Sequence, residues 1–188
     1  MSDPDYVLEG ERVALGPLRL DLADSYRRWL HDLEVRSGIV AVGIFALEAE
    51  EDWVRDTIAK CAGPQPEMAS FTIYDRSDGA PVGTTGLMAI DWRLSRATFG
   101  IFFGECRGQG LGTEATRLAL DWAFNMLGLH NVILTVLPTN AGALRAYEKA
   151  GFQVIGRRRA AVLSLGARCD EILMDAVRDE FVSPVLAR

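Results

Sequence analysis

The sequence predicts an α/β fold, and three observations carry the prediction. Strand-like apolar runs and helical stretches with one apolar stripe alternate along 188 residues, enough chain to bury a sizeable core. Over residues 99–115, FGIFFGECRGQGLGTEA, a strand-like run (Phe99, Ile101, Phe102, Phe103) enters a glycine-rich turn and passes without a break into a helical pattern. Composition is ordinary for a globular protein, at 49% hydrophobic and 24% charged. The simplest organisation is one domain over residues 1–188.

Each element has its own signal. Residues 12–18 read as a first strand, stopped by Gly16-Pro17. Residues 21–33 read as a helix with Leu22, Tyr26, Trp29, Leu30 and Leu33 on one stripe. A second helix spans 46–61, with Trp53, Val54 and Ile58 inward and Glu48, Glu50, Glu51 and Asp52 in its first turns. Acid there complements the helix dipole, or attracts a cationic substrate. Residues 69–74 and 81–90 form a hairpin round Ser77-Asp78-Gly79, and 93–103 form the fourth strand. A third helix covers 112–127, with Ala115, Leu118, Ala119, Trp122 and Met126 buried and Gly128 as its stop. A fifth strand at 131–137 ends at Pro138, and a short helix at 140–150 ends at Gly151. Residues 152–165 and 168–177 pair as the last two strands, turning at Gly166, and the tail 183–188 is expected to be mobile.

Composition excludes several classes of function. With 20 Lys+Arg against 26 Asp+Glu, the net charge of −6 leaves no electrostatic footprint for nucleic acid. The start, Met1-Ser2-Asp3-Pro4-Asp5, is unlike a signal or transit peptide, and the apolar run 39–47 is too short to span a bilayer. Cys61, Cys106 and Cys169 form no CxxC pair, and the histidines are His31 and His130, so neither a disulfide framework nor a metal site is expected. These features predict a cytoplasmic protein without membrane, metal or nucleic-acid partners.

The turn at Gly104, Gly108, Gly110 and Gly112 predicts a phosphate site. Glycines at alternate positions leave room for backbone N–H groups to converge at a helix N-terminus, beside Arg107. Gly110-x-Gly112-x-x-Ala115 fits a dinucleotide fingerprint formally. However, the next strand ends Leu137-Pro138-Thr139, without the carboxylate that would hold a ribose. A P-loop would need a lysine where Gly112-Thr113 has none.

Arg107-Gly108-Gln109-Gly110-Leu111-Gly112 instead resembles the R/Q-x-x-G-x-G/A coenzyme A loop of the GNAT N-acetyltransferase superfamily. Some way downstream, the stretch from Asn140 through Ala143 and Tyr147 to Gly151-Phe152 resembles that family's N-x-x-A-x-x-x-Y-x-x-x-G-F segment. The likeness covers roughly residues 10–178. Glu34-Val35-Arg36, the acidic stretch ending Glu51-Asp52-Trp53, and Val82-Gly83-x-x-Gly86-Leu87 bring it nearest the ribosomal-protein N-terminal and spermidine acetyltransferases. The resemblance implies a mixed, mostly antiparallel seven-strand sheet with helices on both faces, splayed between strands four and five. It implies acetyl-CoA as co-substrate and direct transfer of acetyl to a primary amine of a peptide N-terminus or small molecule. The rival reading on the same fold is a non-catalytic acyl-CoA-binding or regulatory module.

The implied site follows residue by residue. Pantetheine would lie along the fourth strand at Ile101, Phe102 and Phe103. The pyrophosphate would sit on Arg107, Gly108, Gln109, Gly110, Leu111, Gly112 and Thr113, with Asn140 and Ala143 on the far side. Asn140 also suits a helix cap. Tyr147 is the implied general acid, a phenol able to protonate a departing thiolate. No general base stands out: Thr135 occupies the position where some relatives carry glutamate, leaving Glu105, Asp91, His130 or a water relay. Cys106 as an acyl carrier lacks a histidine at a plausible spacing. Arg157-Arg158-Arg159 alternates across a strand, as a solvated edge or as an anion-binding patch.

Residues 39–47, IVAVGIFAL, carry no charged or hydroxyl side chain although they connect two predicted helices. Covering them predicts an acceptor with an apolar or aromatic portion beside its amine, or a homodimer sealed by this segment, and not a bare polyamine.

Overall fold

A computed structural model describes residues 5–186 apart from positions 40, 42 and 165. Its elements run β1 (Leu8–Glu9), β2 (Val13–Pro17), α1 (Ala23–Leu30), α2 (Leu33–Ile39), α3 (Leu47–Lys60), β3 (Ala69–Asp75), β4 (Pro81–Asp91) and β5 (Arg96–Phe103). Then follow α4 (Leu111–Asp121), β6 (Asn131–Val136), α5 (Ala141–Ala150), β7 (Gln153–Ser164) and β8 (Ala167–Val177). The strands form one sheet in the order β1-β2-β3-β4-β5-β6-β8-β7. All its pairings are antiparallel except β5–β6. The eighth strand beyond the predicted seven is the two-residue β1, which pairs with β2 through Leu8 and Glu9.

The splay lies where it was expected, between the strands now numbered β5 and β6. Their parallel ladder holds only Arg96–Asn131, Ala97–Val132 and Thr98–Ile133. Beyond Thr98, β5 stays with β4 as far as Phe103, while β6 stays with β8 as far as Val136. The two halves of the sheet therefore part at their C-terminal ends.

Alternation along the strands divides the core into two layers. Ala97, Phe99, Val132, Leu134 and Met174 meet Leu118, Ala119 and Phe124 on the α4–α5 face. On the other face Leu18, Tyr26, Trp29 and Val54 form a smaller cluster beneath α1 and α3, with Phe102 against it. Tyr26 is anchored there: its hydroxyl lies 2.6 Å from Thr72 Oγ1, which donates to the Pro17 carbonyl (3.2 Å).

Several sequence expectations need correction. The first helix does not run to Leu33. It ends at Leu30, and Asp32 starts a new helix by accepting the Glu34 N–H at its Oδ1 (2.8 Å). Leu33, Trp53, Ile58 and Met126 are largely exposed, because each helix packs through a narrower stripe than the apolar count suggested. The third helix is α-helical only to Asp121. It then widens into a π-turn over Trp122–Met126, closed by the Leu127 N–H on the Trp122 carbonyl (3.0 Å).

The C-terminal tail is also tied down as far as Leu186. Asp121, fully buried, accepts from Asn125 Nδ2 (2.7 Å), Ser183 Oγ (2.6 Å) and the N–H groups of Val185 and Leu186 (both 2.9 Å). The expectation for the tail otherwise falls on 187 and 188, outside the described residues, as do Val40 and Val42 of the apolar segment and Leu165 of the last hairpin.

Candidate active site

The glycine turn joins β5 to α4 with backbone torsions that alternate in sign. Cys106, Gly108 and Gly110 have φ of 53°, 78° and 82°, and the residues between them stay negative. Alternation of this kind turns successive N–H groups to one side, giving a concave nest for an anion at the N-terminus of α4. Gly110 is the N-cap and offers no side-chain cap of its own. A Cβ on Gly108 would meet nothing within 4 Å, and at Gly110 and Gly112 the nearest atoms are Arg12 Nη1 (3.7 Å) and Phe103 Cε2 (3.6 Å). The space over the turn is therefore open, and side chains at these glycines would project into it. This geometry fits a pyrophosphate.

The turn is held from three sides. Arg12 Nη1 donates to the Gln109 carbonyl (2.9 Å), and the Glu114 carboxylate accepts the N–H groups of Glu11 and Arg12. At its start, Gly104 lies against the Trp29 ring so closely that a Cβ would overlap the indole. Trp29 Nε1 donates to Glu105 Oε1 (3.2 Å). Leu111, buried, roots α4 in the core, and Thr113 is half-buried in its first turn. Arg107 does not lean over the nest. Its guanidinium pairs with Asp32 and with Glu34 (3.2 Å), and that contact holds the Asp32 carboxyl below the usual carboxylate range.

The open edge of β5 lies nearby. Gly104 donates its N–H to the Val82 carbonyl of β4 (2.9 Å). Alternate residues along a strand address the same neighbour. Gly100 and Phe102 therefore face β4, while Phe99, Ile101 and Phe103 turn N–H and C=O to the side that β6 has left. Of the three strand residues singled out in the sequence, Ile101 and Phe103 offer free backbone. Phe102 contributes its ring, edge-on to Trp29 with centroids 6.5 Å apart.

A cleft of about 460 Å³ opens in the splay. Phe99, Ile101 and Phe102 line it from β5, Thr135 from β6 and Tyr147 from α5, with Ile39 and Trp53 on the far face. The Tyr147 ring stands edge-on to Phe99 (6.1 Å) and Phe152 (5.9 Å), and burial pushes its phenol up to about 12. Asn140 caps α5 by accepting the Ala143 N–H at Oδ1 (3.1 Å), so its acceptor is engaged. Ala143 is half-buried against the core.

The weaker base candidates are placed elsewhere. Glu105 is occupied by the Trp29 indole. Asp91 accepts from the Leu94 N–H (3.0 Å), and His130 donates its backbone N–H to Ser95, both at the closed end of the β5–β6 pair. Cys106 is partly buried, which pushes its thiol up, against thiolate chemistry. Arg157 and Arg158 are paired with Asp170 (2.6 Å) and Glu171 (2.5 Å) on the edge hairpin. Among the described residues no group of three or more His, Cys, Asp or Glu could hold a metal, and no helix is long and apolar enough to cross a membrane.

The charged residue in the cleft was not singled out in the sequence. Glu171 lines the wall on β8. Its only sequence signal is an acid in a run whose alternation turns it to the same side as Leu173.

Comparison with known proteins bears on the family and the fold. A family profile described as an acetyltransferase (GNAT) domain matches residues 12–153. Over 94 residues the chain is 40% identical to a probable N-acetyltransferase, YjcK, of Bacillus subtilis, covering 49% of this chain and 52% of that one. Over 80 residues it is 39% identical to a spermidine N(1)-acetyltransferase of Escherichia coli, covering 42% and 43% respectively. The matched stretch thus spans about half the length of these curated relatives. The structure of a spermidine N-acetyltransferase from Vibrio cholerae, in complex with CoA and spermine, superposes with a TM-score of 0.82 at 20% identity. It covers 91% of this chain and 98% of that one, a likeness of fold. With the profile matching most of its length, the chain belongs to the GNAT acetyltransferase family.

Proposed function

We propose that the protein is an acetyl-CoA-dependent N-acetyltransferase that moves an acetyl group directly to a primary amine. The observation that carries this reading is the continuity between the nest at Cys106–Gly110, the free β5 edge and the Tyr147 hydroxyl in one cleft. The nest N–H groups would hold the pyrophosphate, Ile101 and Phe103 would hold the pantetheine amides as a further strand does, and Ala143 and Asn140 would flank them. Bound there, acetyl-CoA supplies a thioester carbonyl next to the β5 backbone. Tyr147 holds its proton throughout the neutral range and would give it up at sulfur. A non-catalytic binding module would not need an ionisable side chain lining the cleft.

The acceptor side is the α1–α3 face. Thr135, which cannot take a proton, lies there, and the one carboxylate among the described cleft residues, Glu171, is held in an ion pair with Arg158 (2.5 Å), which makes it a poor base. Such a site favours amines that are already neutral. An α-amine with pKa near 8 is about a quarter neutral at pH 7.5, whereas a lysine amine near 10.4 is about 0.1% neutral. Ile39 and Trp53 in the wall favour an acceptor with an apolar portion beside its amine. Of the other described residues in the apolar segment, none lines the cleft. Ile44 is 96% exposed, and the loop is held by Arg36 Nη2 on the Gly43 carbonyl (2.6 Å) and His31 Nε2 at the Phe45 carbonyl (3.0 Å). A homodimer sealed over Ile44 is the companion proposal, read by sedimentation.

Initial rates with acetyl-CoA at neutral pH, on peptides with free α-amines and on matched peptides whose only amine is a lysine side chain, test the acceptor reading. Faster turnover of the α-amine is expected. Faster turnover of the lysine amine, or of spermidine, would overturn the preference.

A further inference from the structure

A pyrophosphate concentrates negative charge at one point, and the backbone N–H groups of the nest answer it with partial charges only. Arg107, the cation within the turn, is committed to Asp32 and Glu34. Glu114 adds a carboxylate in the first turn of α4. A second guanidinium reaches the turn from the β1–β2 hairpin. It belongs to Arg12, 97 positions before Gln109 in the chain.

The hairpin is docked on α4 by its backbone. Glu114 accepts the N–H of Glu11 and, at 3.0 and 3.2 Å, that of Arg12. From that anchor the Arg12 side chain crosses to the turn, where Nη1 donates to the Gln109 carbonyl (2.9 Å). The same nitrogen lies 3.7 Å from the position a Gly110 Cβ would take, so it borders the open space over the nest. A guanidinium carries five N–H donors, and the Gln109 carbonyl engages one of them. Arg12 is in no ion pair among the described residues. The Asp75 carboxyl, held low first by the Ser77 N–H, feels Arg12 only at longer range. Arg76, the other cation at this hairpin, is by contrast engaged by Glu9 (3.1 Å) and the Gly10 carbonyl.

We propose that Arg12 is a coenzyme-binding residue, whose free N–H donors meet a phosphate of the coenzyme beside the nest. One donor stays on Gln109 and holds the turn in shape, and the others make charge-assisted bonds to phosphate oxygens. This rests on the placement of the coenzyme on the turn, but its test is a binding measurement independent of turnover. The pyrophosphate and the 3′-phosphate of CoA offer the same chemistry, and dephospho-CoA, which lacks the second, tells them apart.

Calorimetric titration of the full chain with CoA reads the contact. Arg12→Gln is expected to bind CoA at least tenfold more weakly at low salt, about 1.4 kcal/mol. Raising the salt should narrow that gap, since screening weakens an exposed ion contact. Arg12→Lys, which keeps the charge, should recover most of the loss. If Arg12 only braces the Gln109 carbonyl, the loss will not change with salt. That result, or a CoA affinity within twofold of wild type, would overturn the proposal. Contact with the pyrophosphate predicts the same loss for dephospho-CoA, whereas contact with the 3′-phosphate predicts that dephospho-CoA binds wild type and Arg12→Gln alike. In the wild-type protein CoA should protect Arg12 from phenylglyoxal, read by peptide mass. Reaction at the same rate with and without CoA would overturn the proposal even if neither variant folds. Weaker CoA binding in Gly110→Val with full affinity in Arg12→Gln would leave the coenzyme on the turn and overturn only the role of Arg12. Full affinity in both would overturn the placement as well.

Discussion

At the scale of single residues, the proposed chemistry rests on Tyr147. Its ring packs between Phe99 and Phe152, so Tyr147→Phe keeps the packing and removes only the proton. General acid catalysis is typically worth 10²- to 10⁴-fold. The variant should lose about that much kcat with little change in the KM for acetyl-CoA, and a kcat within twofold of wild type would reduce Tyr147 to a core residue. Arg107 raises a second residue-scale question, because Asp32 and Glu34 hold the cation a phosphate would need. Asp32→Asn should release it and tighten CoA binding several-fold by calorimetry, while removing some N-cap support from α2. Weaker CoA binding in that variant would mean that Arg107 serves only as a strut between α2 and the turn.

At the scale of elements, the β5–turn–α4 unit is a strand, a nest and a helix N-terminus in unbroken succession, braced by Arg12, Glu114 and Trp29. Gly110 carries a φ of 82° with open space above it. A bulky side chain there is strained and occupies the space a pyrophosphate requires. Gly110→Val should lower CoA affinity by at least tenfold, about 1.4 kcal/mol, in a protein that still folds. Unchanged affinity would remove the basis for placing the cofactor on this turn. The edge hairpin β7–β8 shows the same economy: Arg157 and Arg158 are ion-paired across to β8 and keep charge along an unpaired edge.

Two features act on the molecule as a whole. Asp121 ties the tail to α4 through three acceptor contacts in a fully buried position. Asp121→Ala strands two backbone N–H groups and should cost at least about 2 kcal/mol in urea unfolding, with earlier proteolysis after residue 182. Wild-type stability in that variant would mean the tail is not coupled to the body. The second feature is alkaline sensitivity. Burial pushes the Tyr26 phenol up to about 12, as it does Tyr147. An unfolded tyrosine ionises near 10. The stabilisation is therefore complete below pH 10 and is lost as pH rises towards 12, because the unfolded chain gives up its proton first. For Tyr26 alone this amounts to about 2.7 kcal/mol. Urea midpoints should fall steeply over that window and less steeply in Tyr26→Phe, and equal slopes would place the loss elsewhere.

By itself the sequence determined the α/β class and most of the element order, and it singled out the glycine turn as the candidate phosphate site and Tyr147 as the candidate proton carrier. Those features are written locally, in alternating or helical periodicity, in glycines at alternate positions and in residues at fixed spacing. Tertiary structure decided what depends on contacts far apart in the chain. The break before α2 reflects a cap at Asp32 set inside a run of continuing helical periodicity. Exposure of Trp53, Ile58 and Ile44 depends on how much of each helix or loop meets another element, which periodicity does not report. Arg107 is drawn away from the turn by carboxylates 75 and 73 positions earlier in the chain. Glu171 enters the cleft because β6 and β5 part beyond Thr98, and only the folded sheet puts it across from Ile39 and Trp53.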